Sequence, residues 1–325
     1  MNHLFRLIAV PALAMVLLAA VPATAPAATR ISVNQFVEHP ALDAVLKGFQ
    51  DQLAAEGVAT ECKVHNAQAN MGTTSQIAQI IAGEKPDMVL AIATPSAQAQ
   101  AQVIKKAPHM AEVPLLFSAV TDPAGAGLVK NLDHPGGNIT GVSDMTPVDR
   151  HLAMIKRFVP GMKSVGVVYN SGEANSKTLV RALRNAARDM GLEVEEATAA
   201  RSSDVYQAAK SLAGRADAVY VPTDNTVVAA LESLVKVCEQ AGLPVFAADV
   251  SDVERGCMAA LGFDYYKHGL QAGAMAARIL AGAAPSTMPV EFQRGLSLHI
   301  NLGAAARMGV TVPEDLKAEA DEILE

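Results

Sequence analysis

Short apolar runs alternate with stretches of helical spacing along most of this chain, and the alternation is written twice. From Arg30 the order is RISVNQF, a helix from His39 to Gly57, ECKVHNA, a helix around Thr73 to Gly83, and DMVLAIAT ending at Thr94. From Ser164 it is SVGVVYN, a helix from Glu173 to Gly191, EVEEATA, a helix from Ser202 to Gly214, and DAVYVPT ending at Thr223. Asn34 answers Asn170, Gly57 answers Gly191, Asp87 answers Asp217 and Thr94 answers Thr223, at offsets that drift only from 136 to 129 residues. Such a repeated unit predicts two similar lobes facing one another across a cleft, which is a place to hold a small molecule.

Each half continues in the same style. A helix from Pro95 to Ala107 and the strand PLLFSAV from Pro114 follow the first unit; a helix from Asn225 to Ala241 and PVFAAD from Pro244 follow the second. Strands this uniformly apolar are buried on both faces, which requires helices above and below a parallel sheet. The predicted fold class is therefore α/β, with two doubly wound parallel-sheet lobes. The polar, Gly- and Pro-rich stretch from Thr121 to Asp144 reads as a long loop that carries the first passage between lobes. Further on, Gly256 to Phe263 reads as a strand, Tyr265 to Ala283 as an Ala-rich helix, and Gly282 to Pro289 as a turn. Leu296 to Asn301 reads as a late strand and Leu302 to Leu324 as a short helical return.

The amino-terminal segment adds a destination. Arg6 precedes an apolar run from Leu7 to Val21, broken by Pro11, and Ala25 and Ala27 fill the small-residue positions before a cleavage after Ala27. The run is short for the roughly 20 apolar residues of a membrane span, so residues 1–27 are expected to be a removable signal peptide, with a retained anchor as the alternative. No cysteine lies near that point to accept a lipid, so a soluble protein in the periplasm is expected. The formal charge is −7 and no basic stripe with interleaved aromatics occurs, so nucleic acid is not an expected partner. Cys62, Cys238 and Cys257 are odd in number and lack metal-ligand spacing; they read as small buried apolar residues, with at most one disulfide within a chain. No metal or cofactor is expected.

In a doubly wound sheet, ligands meet the loops at the carboxyl ends of the strands, where helix amino termini also point. Polar residues recur at those ends: Asn34 and Gln35, Thr94 and Ser96, Ser118 with Thr121 and Asp122, Asn170, Thr223 to Asn225, and Asp249. Thr94-Pro95-Ser96 is a good helix start on its own account, with Thr as cap and Pro at the first helical position. A helix start also turns amide hydrogens outward, toward an incoming carboxylate. Asp224 and Asn225 have the same double reading, as caps or as ligand contacts, and Asp249 at the next strand end is a partner for an ammonium. Aromatic residues make up 4% of the chain and Trp is absent, so Phe36 directly after the first strand stands out. It reads either as a stacking face for an apolar ligand or as packing beneath its loop. Tyr169, Tyr265 and Tyr266 are weaker candidates of the same kind.

Enzyme motifs are poor. Gly125-Ala126-Gly127 is followed by Lys130 where the third Gly of a dinucleotide fingerprint should stand, and there is no nucleophile elbow, phosphate loop or paired-His motif.

The segments ISVNQFVEHPALD, DMVLAIATPSAQA, PLLFSAVTDP, NITGVSD, VGVVYN with EANS, VYVPTDN and PVFAADVSDVERG follow in this order. In them, from about Ile31 to Val312, the chain resembles ABC-transporter substrate-binding proteins of the tryptophan/aromatic amino acid type. The resemblance implies a type I periplasmic binding protein. Its two lobes are joined by three crossovers, it closes on one solute, and as a monomer it delivers that solute to an ABC permease in the inner membrane. It further implies an N-terminal lobe of 28–144 plus 265–300 and a C-terminal lobe of 145–264 plus 301–325. Carried onto matching positions, Thr94, Ser96 and Ser118 with Val120 or Thr121 take an amino acid's carboxylate. Asp224, Asn225 and Asp249 take its ammonium or close the second lobe over it, Phe36 and His39 border the side-chain pocket, and Asn34, Asn170 and Thr223 belong to the same strand-end set. Two other functions share these features. An exported sensor would use the same fold, and an exported hydrolase would lean on Asp122, Asp224 and Asp249, with no nucleophile beside them.

Overall fold

The computed structural model describes residues 28–325; the expected signal peptide and its cleavage site lie outside the described residues. The chain opens with β1 (Thr29–Gln35), α1 (Pro40–Ala55), β2 (Thr60–Asn66), α2 (Met71–Glu84), β3 (Met88–Ile92), α3 (Thr94–Lys106), β4 (Leu115–Ser118) and β5 (Ile139–Ser143). It then crosses to a second lobe for α4 (Val148–Phe158), β6 (Ser164–Tyr169), α5 (Ala174–Asp189), β7 (Glu193–Thr198), α6 (Val205–Lys210) and β8 (Ala218–Val221). The same lobe continues with α7 (Asn225–Val228), α8 (Leu231–Ala241), β9 (Val245–Asp249) and β10 (Ala259–Phe263). A return supplies α9 (Tyr265–Leu280) and β11 (Glu291–Phe292) to the first lobe, and a third crossing leads to β12 (Ser297–Asn301), α10 (Leu302–Arg307), α11 (Glu314–Glu319) and β13 (Glu322–Leu324).

The first sheet has the order β11-β5-β4-β3-β1-β2 and the second β13-β12-β10-β9-β8-β6-β7. Every pairing is parallel except that of β10 with β12. Each sheet is enclosed by its own apolar core, one built on Ile31, Leu90 and Phe117, the other on Val167, Tyr220 and Phe246. These cores follow from the sequence pattern: β3 is buried throughout, and α1 turns Leu42, Val45, Phe49 and Leu53 inward at helical spacing. The helix α9 lies closely on α1 because both carry glycine at the crossing. A Cβ on Gly269 would stand 2.2 Å from the Val45 carbonyl oxygen.

The repeat has a physical counterpart. Asp87 accepts the Arg30 N–H at 2.8 Å, and Asp217 accepts those of Lys163 and Ser164 at 2.7 and 2.9 Å, so the same carboxylate anchors the start of the neighbouring strand in both lobes. Asn34 and Asn170, at the far ends of β1 and β6, each bond to the first turn of a helix across the sheet.

Four expectations are corrected. The stretch from Thr121 to Asp144 is not one loop, because β5 lies within it and pairs with β4. Gly141 interrupts the apolar pattern there, since a Cβ would collide with Phe117 on β4. The third passage falls between Phe292 and Ser297, because β12 pairs with β10 in the second sheet, so the first lobe does not extend to residue 300. The expected helix from Asn225 to Ala241 is broken into α7 and α8 at Ala229 and Ala230. The carboxyl-terminal return ends in the strand β13, paired with β12.

Candidate functional site

The carboxyl ends of both sheets face each other across a narrow cavity. The first lobe contributes His39, Ala41 and Leu42 from the start of α1, with Ala119 and Thr121 from the turn after β4. The second contributes Asn175, Thr223, Asp224, Asn225 and Val228, with Asp249 at the end of β9. Asp144 and Tyr265, from the first two crossing segments, close the back. Topology explains the gathering: parallel strands deliver all their carboxyl ends to one edge of the sheet, and the crossovers turn those two edges together.

Two strand ends beside the cavity carry backbone strain. Ala93 and Ala119, at the ends of the adjacent strands β3 and β4, have φ of +77° and +54°, a region that disfavours residues with a Cβ. Next to them, Thr94 Oγ1 and Ser118 Oγ are buried with no partner, although buried hydroxyls in proteins ordinarily find one. His39 Nδ1, Thr223 Oγ1 and Asn175 Oδ1 are in the same condition. Of these, His39, Thr223 and Asn175 line the cavity, so unsatisfied polar atoms meet it from both lobes.

The electrostatics are acidic. Asp144 accepts hydrogen bonds from Thr121 Oγ1 at 3.1 Å and from the Tyr265 hydroxyl at 2.8 Å, tying the first lobe to two crossing segments. Asp249 accepts the Ser251 N–H at 2.9 Å; burial, aided by the Asp144 charge, pushes its carboxyl up to about 6 against the opposing pull of Ser251 and Arg255. Burial and the nearby Glu173 likewise push Asp224 up to about 7. Asp252, behind the cavity, is raised well above the carboxylate range by burial and by Asp249, and Arg255 bonds it at 3.1 Å. Burial, with Arg255 acting in the same direction, brings the half-buried His39 imidazole down to about 4, so it is neutral near pH 7. Among the described residues no Lys or Arg lines the cavity. A cationic group is therefore the natural complement to the Asp144 and Asp249 side, while neutral donors populate the β3 and β4 side.

Among the sequence-predicted residues, His39, Thr121, Thr223, Asp224, Asn225 and Asp249 line the cavity. Thr94 and Ser118 stand at the strained strand ends with free hydroxyls. Others turn inward. Asn34 accepts hydrogen bonds from Thr74 and Ser96, each at 3.0 Å, so Asn34 and Ser96 spend their polar atoms within the first lobe. Phe36 and Val120 are fully buried in the first-lobe core, so Phe36 packs beneath its loop rather than offering a stacking face. Asn170 donates its N–H to Asp224 at 2.6 Å and its amide to Thr226 at 2.9 Å, organising the second lobe from behind. Asp224 is itself held by Asn170, Ser176 and Val227, so its oxygens are already occupied as a cap and a brace. Sequence reasoning missed Asp144 and Asn175 and undervalued Tyr265. Asp144 was visible as the last polar residue of NITGVSD, and the strand it ends was the missing signal.

A family model described as ABC transporter substrate binding protein matches residues 30–324. The tyrosine-binding protein of Clostridioides difficile is 40% identical over 264 residues, covering 80% of this chain and 75% of that protein. A solved ABC domain from Streptococcus pneumonia in complex with L-Trp is 33% identical with a TM-score of 0.86, covering 91% of this chain and all of that one (100%). A ligand-free, open substrate-binding protein with adhesive properties from Clostridium difficile is 38% identical and covers 91% of this chain and 99% of its own, yet its TM-score is only 0.67. The present structure therefore superposes better on the L-Trp complex than on the ligand-free, open protein. With the matched region spanning both lobes and all three crossings, the chain belongs to the ABC transporter substrate-binding protein family.

Proposed function

We propose that this protein captures an aromatic amino acid in the periplasm, after loss of a signal peptide near Ala27, and delivers it as a monomer to an ABC permease of the inner membrane. The observation that carries this reading is the cavity lined from both lobes, with the Asp144 and Asp249 carboxylates on it and the unpartnered Thr94 and Ser118 hydroxyls at the neighbouring strand ends. A zwitterion matches that division. Its carboxylate would meet the start of α3 with Thr94 and Ser118, where the helix dipole and free hydroxyls favour negative charge. Its ammonium would sit by Asp249 and Asp144, and its side chain against Ala41, Leu42, Val228 and Tyr265. Relatives named for L-Trp and tyrosine support an aromatic side chain.

Carriage follows from geometry. A solute that touches both lobes gains part of its contacts only on closure, so it binds the closed state more tightly and shifts the population toward it. Dissociation then requires the lobes to part, which is the step that a membrane permease would control.

The test is to denature purified protein, desalt the supernatant and identify the released solute by mass spectrometry, then to titrate solute-free protein with tryptophan, tyrosine and phenylalanine. The chain has no Trp, so indole fluorescence in the supernatant belongs to the solute. An aromatic amino acid binding at micromolar or tighter levels is expected. A sugar or other neutral solute in the supernatant, with no response to any amino acid, would overturn the reading.

A further inference from the structure

The second-lobe wall of the cavity is arranged by a side chain that does not line it. Glu173, just before α5, is fully buried and accepts four hydrogen bonds: from Asn225 Nδ2 at 2.6 Å, Asn175 Nδ2 at 3.2 Å, Thr226 Oγ1 at 2.7 Å and the Thr226 N–H at 3.1 Å. Its oxygens accept in all four bonds, so both asparagines turn their NH₂ groups toward it and their carbonyl oxygens elsewhere. Asn175 spends its second donor on the Thr223 carbonyl at 3.0 Å, and its Oδ1 is left buried without a protein partner. Both asparagines line the cavity, with Asp144 and Asp249.

We infer that Glu173 is a specificity-determining positioning residue: by holding the NH₂ groups of Asn175 and Asn225 it leaves the Asn175 carbonyl oxygen as an unpartnered acceptor on the second-lobe wall that also carries Asp249, selecting solutes that bring N–H donors, a primary ammonium above all. The inference deepens the amino acid reading and rests on it. Energetics favour this role over plain structural support. Glu173 stands beside the buried Asp224, whose carboxyl it helps to raise, and burying two neighbouring carboxyl groups is costly where a neutral side chain of the same shape would fill the space. A glutamine at this position would bring an NH₂ of its own, and one asparagine would have to turn over to accept it, placing a donor where the ammonium belongs.

The experiment compares L-tyrosine, L-tryptophan and L-phenylalanine with their des-amino analogues, the corresponding arylpropionates, by calorimetry on the solute-free full mature chain. Charge-assisted hydrogen bonds to buried acceptors predict that the wild type prefers an amino acid by about 100-fold or more. In Glu173→Gln that preference should shrink at least about tenfold, with the amino acid weakened far more than its analogue. Asn175→Ala removes an acceptor oxygen while leaving Glu173 in place, so it should move the ratio in the same direction and carries the test alone if Glu173→Gln does not fold. A folded variant that keeps the wild-type ratio, or that weakens both ligands equally, would overturn the role assigned to Glu173. Failure of the wild type to bind any of the three amino acids would instead overturn the function on which it rests, and the two failures are distinct because only the second appears without a mutation.

Discussion

Replacing Asp249 by Asn should make the ligand-free protein more stable and its ligand binding weaker, a pairing that an ordinary structural residue would not give. Asp249 is 4% exposed, and burial raises its carboxyl from 3.8 to about 6. A group whose native pKa lies above its unfolded value binds more protons when folded, so its contribution to stability is present at pH 4 and is lost as pH rises through about 6. A two-unit rise corresponds to about 3 kcal/mol, and sharing of the cost with Asp144 and Arg255 brings the figure for Asp249 alone to about 1–2 kcal/mol. Asn keeps an oxygen for the Ser251 N–H, so the cap at the end of β9 survives. The ligand-free variant at pH 7.5 should therefore melt a few degrees higher, and its stability should vary less between pH 4.5 and 7.5. Binding should move the other way: loss of a charge-assisted hydrogen bond to the ammonium costs about 1.5–3 kcal/mol, or roughly 10- to 150-fold in Kd. Scanning calorimetry at three pH values and isothermal titration with tryptophan or tyrosine measure both effects. A variant that melts lower at pH 7.5, or that binds as tightly as the wild type, would refute the argument that Asp249 is held charged for the ligand.

Wild-type affinity for the amino acid should fall by about tenfold between pH 7.5 and pH 5, as Asp249 takes up a proton, while the ligand's own charges stay constant; a flat profile by titration calorimetry would exclude Asp249 as the ammonium partner. Ser118→Ala should weaken binding by about tenfold with no loss of melting temperature, because the hydroxyl it removes has no partner in the protein. Asn34→Ala should do the reverse, lowering the melting temperature by breaking the Thr74 and Ser96 network while leaving affinity within about twofold, as read by thermal shift and titration together.

Much of the site was legible because a strand end announces itself. β3, β4, β8 and β9 are continuous apolar runs that each end at a polar residue on the same edge of the sheet; Thr223 and Asp249, picked out in this way, line the cavity, and Thr94 and Ser118 stand at the neighbouring strand ends. The same rule overreached at Asn34 and Asn170. A polar residue at a strand end can turn toward the solute or toward the neighbouring helix, and the choice depends on whether a partner such as Ser96 or Thr226 stands within reach. Phe36 was ambiguous for a related reason: its burial depends on core residues distant in sequence. Asp144 was overlooked because β5 is interrupted by Gly141, a residue that reads as a breaker in sequence but here allows close approach of Phe117.

Local sequence by itself determined the two lobes, since apolar runs long enough to be buried on both faces, separated by amphipathic helices, can satisfy their backbones and bury their surfaces only in helix-covered parallel sheets. Tertiary structure alone decided which lobe claims β12, which amide oxygens face the cavity and which carboxylates are occupied by the protein. Those outcomes depend on pairings between distant segments, antiparallel β10 with β12 and Glu173 with Asn225, whose energies come from contacts that exist only once both partners have been brought together.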